Sequence, residues 1–155
     1  MALDQHNALI LNAASLYSLD PNWVKSIVQI ESSGNTWSMR FEPLFYDSIK
    51  IRYRGKFSDT EIVSRATSWG LMQVLGEVAR ELGYGGRFLT GLCEPMIGLR
   101  YGCMKFKQQL DRYNADLLKA VSAYNAGTAI INPDGKFKNQ TYVDKFGKAL
   151  KEIIV

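Results

Sequence analysis

Residues 20–34 read Asp20-Pro21-Asn22-Trp23-Val24-Lys25-Ser26-Ile27-Val28-Gln29-Ile30-Glu31-Ser32-Ser33-Gly34, and this stretch decides the fold class. Asp20 before Pro21 is a helix start, because the aspartate can accept from the free amides of the first turn and proline has no amide hydrogen to leave unpaired there. Gly34 is a helix stop, since it enters the left-handed region without a Cβ clash. Between them each residue turns about 100°. Val24, Ile27, Val28 and position 31 therefore share one face, while Asn22, Lys25, Ser26, Gln29 and Ser32 fill the opposite arc.

The same period extends in both directions. Upstream, Leu9, Ile10, Ala13, Leu16 and Tyr17 predict a helix over 3–18. Downstream, Ser58 with Glu61 opens a helix through Arg65, and another runs over 73–82 into Gly83-Tyr84-Gly85-Gly86. Glu94-Pro95 opens the longest helix, to about 113; 115–126 forms the next, closed by Gly127; and 139–153 forms the last. Residues 35–57 break the pattern with Pro43, Gly55 and a run of aromatic, β-branched and basic residues, and read as an irregular flap or a short hairpin. With no repeat or linker, 1–155 is one mainly α domain.

Composition narrows the function classes. With 46% hydrophobic and 22% charged residues the chain can bury a sizeable core. No apolar run approaches the roughly 18 residues of a membrane span, and no basic segment precedes the first apolar stretch as in a secretory signal. The net charge of +4 favours an anionic partner without choosing among wall polymer, membrane surface and nucleic acid. Lys105, Lys107, Arg112, Lys119, Lys136, Lys138, Lys145 and Lys148 are spread over several elements, so a solvated surface explains them better than a nucleic-acid site. His6 is the only histidine, and Cys93 and Cys103 have no metal-ligand spacing. No metal, cofactor or histidine triad is expected. Cys103 lies on a helical stripe with Leu99, Phe106 and Leu110, the position of a buried free thiol.

Glu31 is the anomaly, a carboxylate on the inward face of its helix. Desolvation and the negative end of the helix both favour its protonated form. A carboxyl protonated near neutrality can act as a general acid, which glycosidic bond cleavage needs because an alkoxide leaves poorly. The competing reading turns Glu31 to solvent or pairs it with Arg40, Arg52 or Arg54. Two further segments suit a sugar cleft. Ser68-Trp69-Gly70-Leu71-Met72-Gln73-Val74 carries a close-approach glycine and an amide, and Ala123-Tyr124-Asn125-Ala126-Gly127 puts an aromatic and an amide at a helix end, where the ring would stack on a sugar or simply join the core.

In order, Glu31-Ser32, Gly70-Leu71-Met72-Gln73, Ala123-Tyr124-Asn125-Ala126-Gly127 and Tyr142 resemble the soluble lytic transglycosylase (SLT) family, over residues 20 to about 147. The resemblance implies a single lysozyme-like α domain that cuts the N-acetylmuramic acid–N-acetylglucosamine bond of peptidoglycan and forms a 1,6-anhydro product, with Glu31 as acid and base. It implies a groove lined by Ser32, Met72, Gln73, Tyr124, Asn125 and Tyr142, with Ser64 as a weaker match because Arg65-Ala66-Thr67 departs from the family pattern. The chain also departs in the length of 35–63, which contains Glu42. A second carboxylate near the cleft would permit hydrolysis by an inverting, muramidase route; paired with Arg40 it would only anchor a loop. An inactive glycan-binding or virion module is the remaining alternative. Small size and charge resemble a phage lysin or a wall-penetrating factor, a monomer made in the cytoplasm and released or carried to the wall.

Overall fold

The computed structural model describes residues 4–154. A 3-10 turn at Asp4–His6 leads into α1, Asn7–Leu16, shorter at both ends than expected; residue 3 lies outside the described residues. Asp20 caps α2, Pro21–Ser32, by accepting from the Asn22 amide at 2.8 Å. The helix closes through two left-handed residues, Ser33 and Gly34.

Residues 35–57 are more regular than expected. They hold β1, Met39–Phe41, and an eleven-residue helix α3, Pro43–Tyr53. There is no local hairpin. After α4, Asp59–Arg65, capped by Ser58 as expected, the chain returns as β2, Thr67–Trp69, which pairs antiparallel with β1 so that Arg40 faces Ser68. A turn at 70–73 then leads to β3, Val74–Leu75, on the other side of β2. The helix expected over 73–82 is therefore only α5, Gly76–Glu81: Gln73 takes a left-handed φ of 47°, and the next two residues are strand.

A 3-10 segment, Leu89–Cys93, precedes α6, Pro95–Arg112, where Glu94 accepts from the amides of Met96 and Ile97. Asp116 caps α7, Leu117–Ala126, which Gly127 ends at φ 80°. The last helix, α8, spans Gln140–Ile154. The molecule is thus mainly α with a small three-stranded sheet, and α2 packs more extensively on α8 than any other two elements pack together.

The main core gathers Val24, Ile27 and Val28 from α2, Leu99, Cys103 and Phe106 from α6, Tyr124 from α7 and Phe146 from α8 around Leu71 and Met72. Cys93 and Cys103 are buried free thiols, and burial pushes the Cys103 thiol up to about 12. A satellite core of Ile49, Ile62 and Ala66 holds α3 to α4. Beside it, Glu77 is nearly buried and binds Arg65 at 2.8 Å and the Tyr53 hydroxyl, while Glu61 binds Arg65 at 2.9 Å and Arg80 at 2.8 Å. This network ties α3, α4 and α5. Among the described residues no helix is long and apolar enough to cross a membrane, and no group of three or more acidic, histidine or cysteine side chains could hold a metal ion.

Candidate active site

A cleft of about 720 Å³ runs between the C-terminal end of α2 with α6 and α7 on one side and the sheet with the start of α3 on the other; Glu31, Arg40, Glu42, Gln73, Lys105 and Tyr124 are among its lining residues. Glu31 lies on the last turn of α2, above Val28 on the buried face, and opens into this cleft. Its partner is none of the arginines considered from sequence. The Tyr142 hydroxyl of α8 donates to Glu31 Oε1 at 2.5 Å. Burial raises the Glu31 carboxyl above its ordinary range, with a small push from Glu42; the Tyr142 hydrogen bond and the charges of Lys105 and Arg40 oppose it without cancelling it. Tyr142 is in turn held neutral by burial and by Glu31.

The turn at 70–73, of which Gln73 lines the cleft, is tied at three points. Ser32 Oγ donates to Leu71 O at 2.8 Å, Tyr124 Oη donates to Met72 O at 2.7 Å, and Gln73 Nε2 donates to Gly70 O at 3.0 Å and to Ser38 O at 2.9 Å. Gly70 has φ 73°, and a Cβ there would lie 2.3 Å from Leu92 O, so position 70 has neither the conformation nor the room for a side chain. With both Nε2 hydrogens used on backbone, Gln73 is left with its carbonyl oxygen as the acceptor for a ligand.

Three expected groove residues have other work. Met72 is fully buried, its side chain against Gly102, where an added Cβ would meet it at 2.3–2.9 Å. Ser32 spends its hydroxyl on the α2-to-turn tie. Tyr124 is 1% exposed, packs edge-on against Phe106 and carries the Lys105 ammonium 3.9 Å from its ring centroid, so it is a post rather than a stacking platform. Ser64 is not brought to the cleft. It sits on α4 beside a separate cavity of about 300 Å³ that Thr60, Arg87 and Thr90 also line.

Asn125 does line the cleft. Its Oδ1 accepts from Asn139 Nδ2 at 2.9 Å, and Asn139 is itself fixed by Ser122 through bonds of 2.6 and 3.0 Å. That leaves the Asn125 NH2 group as a donor to a ligand. Glu42 shares the cleft with Glu31, but its Oε1 accepts from Arg40 Nε at 2.7 Å and from Ser68 Oγ at 3.4 Å. The loop-anchoring pair offered as an alternative is formed. Sequence reasoning gave Ser68 and Asn139 no role of their own and counted Lys105 among the solvated surface cations, whereas Lys105 lines the cleft. Only Lys105 carried a usable signal, a charge at the i+3 position from Gly102 on the buried stripe of α6.

A family model described as a transglycosylase SLT domain matches residues 55–145. That span contains the 70–73 turn, the 123–127 helix end and Tyr142, and begins downstream of Glu31 and Glu42. Among solved structures, an inactive glutamate-to-glutamine mutant of the lytic transglycosylase Slt from Pseudomonas aeruginosa matches with a TM-score of 0.58 at 18% identity, over 96% of this chain and 22% of that one. The chain thus spans about a fifth of that protein's length, and at this identity the likeness is one of fold.

Proposed function

The chain belongs to the transglycosylase SLT domain family, and within it we propose that it cleaves the β-1,4 bond between N-acetylmuramic acid and N-acetylglucosamine in bacterial peptidoglycan, with Glu31 as the single acid and base and a 1,6-anhydromuramic end as product. The observation that carries this is a half-buried carboxyl, raised above its ordinary range, on the wall of the main cleft and oriented by one tyrosine hydroxyl. Protonated Glu31 gives its proton to the bridging oxygen as the bond to C1 breaks. The resulting carboxylate then removes the proton of the muramic C6 hydroxyl while that oxygen bonds to C1, which restores the acid. No water is consumed. The Gln73 carbonyl oxygen and the Asn125 amide donors suit the hydroxyl and acetamido groups of such a glycan. The place of action is the bacterial wall, and one chain supplies every group named.

A hydrolytic route has one observation in its favour, the presence of Glu42 in the same cleft. Its pairing with Arg40 and Ser68 falls on Oε1 alone; this ties the carboxylate to its loop and weakens that route, while Oε2 remains the oxygen through which Glu42 would act on water. Mass spectrometry of digested, purified peptidoglycan separates the two, since an anhydro end is lighter than a reducing end by one water. Anhydro ends are expected from the wild type and from Glu42→Gln. Loss of ~10²-fold or more in rate is expected for Glu31→Gln, whose amide cannot act as the acid. Reducing ends that vanish in Glu42→Gln would make the protein a muramidase, and normal clearing by Glu31→Gln would refute both routes.

A further inference from the structure

Lys105 is a cation in a place where cations are costly. It projects from the stripe of α6 that carries Gly98 and Gly102, lines the cleft, and rests its ammonium 3.9 Å from the centre of the Tyr124 ring. The other half-buried cations are handled differently. Arg65 and Arg80 each hold carboxylate oxygens at 2.8–2.9 Å, whereas Lys105 has no carboxylate oxygen within ion-pair distance among the described residues. Its attraction is to Glu31, and it is mutual: each favours the charged form of the other. Tyr124 holds the ammonium from below, and Tyr142 occupies the bonding position on Glu31 Oε1. Both groups line the same cleft, and among the described residues no ion pair joins them.

A bonded lysine would lock Glu31 as a carboxylate and destroy the acid. A cation held in reserve attracts Glu31 weakly while it is neutral and strongly once it has given up its proton. The remaining charged and titratable groups around the pair are Arg40 on β1, Glu42 at the start of α3, Tyr124 on α7 and Tyr142 on α8. Arg40 and Glu42 are committed to each other, and both tyrosines are held neutral. We infer that Lys105 is a positioning residue for the reaction, the standing counter-charge that stabilises the Glu31 carboxylate between its two proton transfers. It donates no proton and touches no reacting atom. Burial lowers its own amine to about 8, so the counter-charge is present at neutral pH and is lost above that value.

The inference rests on Glu31 being the acid, and its decisive measurement does not need turnover. In protein carrying 13C-labelled glutamate carboxyl groups, the Glu31 resonance should titrate at higher pH in Lys105→Met than in wild type and return toward wild type in Lys105→Arg. Because the coupling is reciprocal, the Lys105 amine should titrate lower in Glu31→Gln than in wild type, a check that holds even if Lys105→Met fails to fold. With peptidoglycan as substrate, Lys105→Met should lose at least about tenfold in kcat with KM within about twofold, the pattern of an interaction made in the transition state. Unmoved titrations in both directions would overturn the inference and leave the proposed reaction standing. So would a change in KM alone, which would make Lys105 a sugar contact.

Discussion

Replacing Glu77 by glutamine tests what holds the sheet wall of the cleft. The side chain is 6% exposed; one oxygen binds Arg65 Nη1 at 2.8 Å, and the other accepts from Tyr53 and lies 3.4 Å from Arg52. Glutamine keeps the shape but removes the charge and presents NH2 hydrogens to a guanidinium. Breaking a buried pair from one side costs ~3–5 kcal/mol, mostly because the remaining charge stays desolvated. Arg65, 12% exposed, keeps Glu61, which puts the expectation at the lower end, ~3 kcal/mol. For a domain of this size each kcal/mol moves Tm by ~2–4 °C, so thermal unfolding followed by circular dichroism should shift down by ~6–12 °C. The double variant Glu77→Gln with Arg65→Met should recover part of that loss, since it removes the stranded cation as well. A fall of under about 2 °C for the single variant, or a further fall of similar size in the double variant, would refute the reasoning. Acid adds a second readout. Burial pulls Glu61 up, but Arg80 and Arg65 more than offset it and hold its carboxyl below the ordinary value. A depressed carboxyl contributes stability that is complete above its unfolded value, ~4.3, and is lost as pH falls through the folded one.

Tyr142→Phe removes the hydrogen bond that opposes the rise of Glu31, so the alkaline limb of the pH profile of kcat/KM should move to higher pH while the fold is kept; an unmoved limb would separate Tyr142 from the acid. Gly102→Ala places a methyl against Met72 and should cost ~1–3 kcal/mol by overpacking, together with a loss of activity because Met72 O anchors Tyr124; a urea midpoint equal to wild type would show that Met72 yields freely.

The helices with conventional ends were legible. Asp20-Pro21, Ser58 and Glu94-Pro95 each cap a helix, and the 3.6-residue stripes of α2, α6 and α7 point where expected. α3 was not legible because it hides almost nothing. Only Ile49 is buried, Leu44 and Ile51 face solvent, and no apolar stripe marks it as a helix. Glu42-Pro43 repeats the acidic residue and proline of the two legible starts and was the available signal. The start of α5 was missed because Gln73, a good helix former by propensity, is left-handed and bonded to Gly70 within its turn and to Ser38, which lies outside any local pattern. Glu31 was found because charge on an apolar face is readable from one helix. Its pairing with Tyr142 was not, since nothing within either helix records that the two meet. Of the two roles left open for Tyr124, the structure favours the core one, because Phe106 and Lys105 of the preceding helix α6 lie against its ring, and nothing in the 123–127 motif itself records those neighbours.

The hydrogen bond between Tyr142 and Glu31 joins residues 111 positions apart, and this bears on when the site can exist during synthesis. Domains are made at ~5–20 residues per second from the N-terminus, so α2 emerges long before the helix that completes it. Until α8 docks, α2 lacks the element it packs on most extensively, and the acid stands on a helix end with no tyrosine to aim it. Contacts of such long sequence separation are also the slow ones to form. A nascent or truncated chain that stops short of residue 140 therefore carries the acid without the Tyr142 contact that orients it, and the competent site is a late product of folding rather than a property of α2.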